Sequence, residues 1–239
     1  MPEQPLRQRH EALLVGHAQK GRGRHGDSEG GSEANLGSNG TPTLSSAPFP
    51  TSGGTPPRFD DGGDLRYGPP TARHRLVLLH GWGADADHLL DLGELLVGPL
   101  VSVVALRAPY PHPGGTGRQW YDLLPQPDWS ALSAARKDLR SRLEDLGESV
   151  PLAHTALLGF SQGAAMALDV ATGKGAEGQS GLPLAALIAC SGYPHPDWVP
   201  VRPAMKILLT HGEQDPMVPF AACEAVERLL RNAGGSVRR

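Results

Sequence analysis

Residues 159–163 read Gly-Phe-Ser-Gln-Gly, a serine held between two glycines. The apolar run Ala156-Leu157-Leu158 precedes them and Ala164-Ala165-Met166-Ala167-Leu168 follows. A serine on a sharp strand-to-helix turn projects its hydroxyl from the sheet, and flanking glycines let the neighbouring elements approach closely. The helix that begins there aims backbone N–H groups and a partial positive charge at a developing oxyanion. The chemistry this suits is nucleophilic attack by Ser161 on a carbonyl carbon, through an acyl-enzyme. In a chain with 31 glycines the spacing alone is unspecific, and its weight comes from the elements on either side. The competing reading of Ser161 is a helix N-cap.

Those elements follow from the apolar pattern. Arg75–Gly81 (RLVLLHG), 100–109, 154–160, 182–192 and 204–212 are short apolar runs that predict strands. Helices are predicted over 85–98, 128–148, 161–173 and 219–234. In the second of these, Leu132, Ala135, Leu139, Leu143 and Leu146 form one stripe, with Asp128 or Ser130 available as cap. Residues 109–127 read as a long irregular loop. Strands that alternate with helices and read as continuous apolar runs predict a doubly wound α/β fold around a mostly parallel sheet. Reactive groups gather at the carboxyl ends of such strands. Here those ends carry His80-Gly81, Ser161, Ser191-Gly192 and the run from His211 to Asp215.

The chain divides unevenly. Residues 1–72 are rich in Gly, Ser, Pro and charges of both signs, with scattered large apolar residues, and are expected to be a disordered extension or an artefact of the assigned start. Residues 73–239 are expected to form the catalytic domain. A net charge of -3 without a basic block argues against nucleic acid as a partner. No apolar run reaches the roughly 18 residues of a membrane span. Cys190 and Cys223 suggest neither a disulfide framework nor a metal cluster, so a cytoplasmic location is expected. No pair of histidines has the spacing of a metal site.

Six segments together resemble the carboxylesterase/phospholipase group of the α/β-hydrolase fold, which includes acyl-protein thioesterases. They are LLHGWGADADHLL, LRAPYPHPGG, QWYDL, LGFSQGAAMAL, LIACSGY and LLTHGEQDPMVP, in that order between about 74 and 234. The resemblance implies Ser161 as nucleophile and Asp215 as the acid of a catalytic triad, with Glu213 as second choice for the acid. It implies oxyanion-hole backbone N–H groups from Trp82 and Gln162, and a substrate pocket walled by Trp120 and Tyr121. It implies no cofactor or metal, and a small-molecule or acylated-protein substrate.

In this fold the triad runs serine, acid, histidine along the chain. No histidine follows Asp215. The expectation is therefore a domain incomplete at its C-terminus, lacking the last strand and the catalytic-histidine loop, with Gly234–Arg239 as the start of that strand. His80 and His211 are expected to brace the oxyanion and acid loops. The rival reading is a catalytically dead fragment or pseudoenzyme that keeps the acyl pocket. A peptidase or acyltransferase on the same fold is the other.

Overall fold

The computed structural model describes residues 63–123, 129–174 and 181–239. The expected disorder of the extension falls, for residues 1–62, outside the described residues. Along the chain run β1 (Leu65–Tyr67), β2 (His74–Leu79), α1 (Asp87–Leu96), β3 (Val101–Leu106), β4 (Tyr110–Pro111), β5 (Arg118–Gln119), α2 (Leu132–Gly147), β6 (Thr155–Phe160), α3 (Gln162–Thr172), β7 (Ala186–Cys190), β8 (Lys206–Thr210), α4 (Phe220–Asn232) and β9 (Ser236–Arg238). Seven strands form one sheet in the order β1-β3-β2-β6-β7-β8-β9. Only β1 runs antiparallel, and all other neighbours pair in parallel.

The long apolar runs are the sheet's centre. Val77, Leu78 and Leu79 on β2 and Val103 to Leu106 on β3 are almost wholly buried, because helices cover both faces there. One core joins the sheet to α2, α3 and α4 through Leu139, Leu143, Leu157, Met166, Leu168, Leu187 and Leu230. A second, smaller core lies on the opposite face, where α1 places Leu90 against Leu76, Leu78 and Val103. The other end of that second face is barer. Ile188 and Cys190 on β7 are partly exposed and Leu208 on β8 is exposed, while α1 packs mainly on β1, β2 and β3.

Four expectations need correction. The domain begins before residue 73, since Leu65–Tyr67 pairs with β3 and closes that edge of the sheet. The last strand is not wholly lacking: Ser236–Arg238, within the segment expected to begin it, pairs with Lys206–Leu208. The loop 109–127 is not wholly irregular, because Tyr110–Pro111 and Arg118–Gln119 form a short hairpin. Helix α2 is preceded by a 3-10 turn over Trp129–Ala131, and its N-cap residue, Ala131, makes no side-chain cap bond. Asp128 lies outside the described residues.

Candidate active site

Ser161 connects β6 to α3 with φ 52° and ψ -115°. A non-glycine residue in that region is strained, and the surroundings must over-determine it. They do. The Ser161 N–H donates to Cys190 O at 2.8 Å, and Ser161 O accepts from Ala165 N at 3.0 Å. Gly159 packs on the following helix so tightly that a Cβ there would stand 2.6 Å from Ala164 N and Cα. A Cβ on Gly163 would press into the carbonyl oxygens of Leu79 and His80, the second at 2.5 Å. The serine hydroxyl makes no cap hydrogen bond, so the N-cap reading does not describe this helix start.

The loop after β2 lies beside the serine. A Cβ built on Gly81 would meet Ser161 Cβ at 3.4 Å and Phe160 Cδ1 at 3.3 Å, which brings Trp82 next to the elbow. Trp82 is half-buried, and its indole N–H donates to Gln119 Oε1 at 2.8 Å. The loop is tied down by Gly83 N to Arg118 O at 2.9 Å and Arg118 N to Ala84 O at 2.8 Å. Gln162, the first residue of α3, is wholly buried. Its side chain takes the Trp120 N–H at 3.0 Å and gives a hydrogen bond to Tyr121 O at 2.8 Å. Its own backbone N–H, in the first turn of a helix, has no intrahelical acceptor.

His80 braces this arrangement. Nδ1–H donates to Gly81 O at 2.8 Å, and Nε2 accepts from Ala108 N at 3.1 Å. That pattern needs the neutral ring, since an imidazolium has no acceptor. Burial lowers the His80 pKa, against the opposing pull of the Gly81 carbonyl and Asp85. Because the folded value lies below the unfolded one, the stability His80 contributes is complete above about pH 6.5 and is lost as the pH falls below it. Melting temperatures between pH 8 and 5 are therefore expected to fall on the acid side. A His80→Gln variant starts lower and lacks that part of the slope; parallel curves would contradict the assignment.

Asp215 sits in the loop after β8. Its Oδ1 accepts from Met217 N and Val218 N, both at 2.9 Å. Its Oδ2 lies 3.7 Å from His211 Nε2, whose bond runs to Val218 O at 2.8 Å. Burial alone would push this carboxyl up. The amides of Val218 and Met217, the Ser191 hydroxyl and His211 outweigh it and hold the group below its ordinary range. Ser191, at the end of β7, also has positive φ, 50°. Glu213 is exposed, which leaves Asp215 the better-built acid. Asp215→Ala is expected to cost about 1 kcal/mol at pH 7 by freeing two amides. The cost shrinks as the pH falls through the depressed folded value, where the carboxylate of the wild type is lost too. Urea titrations of both proteins at pH 7 and pH 3 measure this, and an equal difference at the two pH values would contradict it.

Trp120 and Tyr121 correct the expected pocket wall. Both side chains have 0% exposure. The Trp120 indole N–H donates to His80 O at 3.0 Å, and the Tyr121 hydroxyl bonds that of Tyr193 at 2.6 Å. They back the site from within the core. Exposed apolar surface comes instead from Phe160, which precedes the serine and is 48% exposed, and from Met217, which follows Asp215 by two residues and is 64% exposed. A cavity of about 430 Å³ lined by Trp129, Leu132, Ser133, Arg136, Pro196 and Asp197 lies beside α2 and includes none of the residues discussed as catalytic. Among the described residues no cluster of His, Cys, Asp or Glu is built to hold a metal, and no helix is long and apolar enough to cross a membrane.

A mostly parallel sheet with helices on both faces and a strained strand-to-helix elbow defines an α/β-hydrolase fold. The chain belongs to the phospholipase/carboxylesterase family, whose pattern matches residues 68–238, and that family consists of hydrolase enzymes. It is similar to the esterase YpfH of Escherichia coli K12, 27% identical over 173 residues that span 70% of this chain and 72% of that one. Among solved structures it is similar to esterase PE8, with 29% identity, a TM-score of 0.61, and 74% and 86% of the two chains covered. The Zea mays acyl-protein thioesterase 2 shares the fold at 21% identity and a TM-score of 0.56, covering 73% of this chain and 87% of that one.

Proposed function

We propose that this protein cleaves carboxylic ester or thioester bonds through an acyl-enzyme on Ser161. The observation that carries this reading is the Ser161 backbone, held at φ 52° with its hydroxyl unused as a cap. Ser161 Oγ attacks the substrate carbonyl. The backbone N–H groups of Trp82 and Gln162 receive the oxyanion, one from the loop beside the elbow and one from the first turn of α3. Asp215 is the triad acid, ionised at neutral pH because four groups converge on it. The oxyanion collapses, the ester or thioester bond breaks and the alcohol or thiol leaves with the serine's proton; water then hydrolyses the acyl-enzyme, freeing the acid and restoring the Ser161 hydroxyl.

The triad arrangement also needs a proton acceptor between Asp215 and Ser161. His80 and His195 have both ring nitrogens bonded to protein groups, and residues 216–239 contain no histidine. The exposed Phe160 and Met217, one beside Gly81 and the other beside Asp215, favour a substrate with an apolar acyl portion, on a small molecule or on an acylated protein in the cytoplasm. The test is labelling with a fluorophosphonate followed by peptide mapping. Phosphonylation of Ser161 is the expected result. Labelling elsewhere, or none at reagent concentrations that saturate a serine esterase, would leave the site a binding or relict one.

A further inference from the structure

One buried polar chain has no part in the reaction just described. Asp169 on α3 accepts from Arg136 Nε at 2.7 Å and lies 2.5 Å from His195 Nδ1. His195 Nε2 is 2.9 Å from the Tyr121 hydroxyl, which is 2.6 Å from that of Tyr193. The side chain of His195 is wholly buried, and that of Asp169 is 9% exposed. With the carboxylate accepting from Nδ1–H, Nε2 of a neutral ring accepts from Tyr121 O–H, which in turn accepts from Tyr193 O–H. Each of these groups is then satisfied in one direction. Burial raises the Tyr121 and Tyr193 pKa values far enough that both phenols stay protonated.

Such a chain is costly to bury unless complete, and its members come from separate elements. Arg136 is on α2, Asp169 on α3, Tyr121 on the loop after β5, and Tyr193 and His195 on the loop after β7. Arg136 continues outward to Asp197 through bonds of 2.6 and 2.8 Å. The inner end is what matters for the site. Tyr121 O and Trp120 N hold the Gln162 side chain, while Tyr193 packs against Ala165 and Val218, and Val218 N bonds Asp215.

We propose that Asp169, His195 and Tyr121 are positioning residues. Their hydrogen-bonded chain fixes the Trp120-Tyr121 backbone, which clamps Gln162 and so aims its backbone N–H. The effect on catalysis rests on the reading of Gln162 as an oxyanion donor; the effect on the clamp does not. Removing the hydroxyl in Tyr121→Phe leaves His195 Nε2 without its donor and releases the loop. His195→Ala does the same from the other side. His195→Gln keeps an amide where Nε2 stood and is expected to recover most of the effect.

The experiment has two readouts on the full chain. Hydrogen exchange at the Trp120 amide, which donates to Gln162, is expected to speed up about tenfold in Tyr121→Phe and His195→Ala, corresponding to loss of about 1.4 kcal/mol of local protection. His195→Gln stays near wild type. Where ester turnover is measurable, kcat falls about tenfold with KM within twofold, because the oxyanion contact strengthens only in the transition state. Wild-type exchange at Trp120 in a folded Tyr121→Phe, or in a folded His195→Ala should Tyr121→Phe not fold, overturns the proposal. Equal loss in His195→Gln and His195→Ala also overturns it, since packing alone would then explain the effect. If the wild type neither turns over ester nor labels at Ser161, the hydrolase reading fails, and the exchange result alone decides this one.

Discussion

Ser161→Ala is expected to abolish phosphonylation by a fluorophosphonate and to remove whatever ester turnover the protein has. The reason lies in the backbone. Its φ of 52° and ψ of -115° aim the side chain out of the sheet, and its hydroxyl is not spent on the helix cap. The neighbouring hydroxyl at a strand end, that of Ser191, bonds the Asp215 carboxylate, so it is not a ready substitute. In a fully equipped triad such a loss is on the order of 10⁶ in turnover. Intact-protein mass after labelling, together with initial rates on an activated ester, measures both quantities. A Ser161→Ala protein that still labels at the wild-type rate would remove Ser161 from the reaction.

The second large effect is structural. Gly163→Ala is expected to destabilise the domain by about 3 kcal/mol or more, beyond the usual range for overpacking. The added methyl group would collide with two backbone carbonyl oxygens, Leu79 O and His80 O. Backbone at the end of a central parallel strand cannot move aside as a flexible side chain can. Relief requires α3 to lift off β2, which shifts Ser161 and Gln162 together and parts them from Gly81. Labelling of Ser161 is therefore expected to be lost even in the fraction that stays folded. Gly98, where a Cβ would meet nothing within 4 Å, provides the contrast: Gly98→Ala is expected to leave both the urea midpoint and labelling near wild type. Urea denaturation and labelling on the three proteins test this. A Gly163→Ala midpoint equal to wild type would show that the close approach is not rigid.

Where sequence and structure agree, burial is the reason. The runs around Leu76–Leu79, Val103–Leu106, Leu157–Gly159 and Ile207–Leu209 are apolar because their strands lie in or near the middle of a sheet, and that pattern survives in one dimension. The elbow is legible because its steric demands fall on adjacent positions, Gly159, Ser161 and Gly163. Edge elements leave a weaker trace. Leu65–Tyr67 and Ser236–Arg238 each bury only one or two side chains, so no run marks them. The hairpin of Tyr110–Pro111 and Arg118–Gln119 is set by the backbone bond from His112 N to Gly117 O, a contact with no compositional signal.

The sequence by itself determined the fold class and the serine at the turn, while its resemblance to a family pointed to the loops that carry Trp82, Gln162 and Asp215 and to His80 and His211 as braces. These are local patterns, or patterns repeated down the chain. Only the tertiary structure decided that Trp120 and Tyr121 face inward, since a loop's side chains carry no period to say which way they point. Only it joined Asp169 to His195 and His195 to Tyr121, from three different segments. Long-range hydrogen bonds of this kind depend on how α3 and the loops after β5 and β7 stack upon one another, and spacing along the chain encodes none of that.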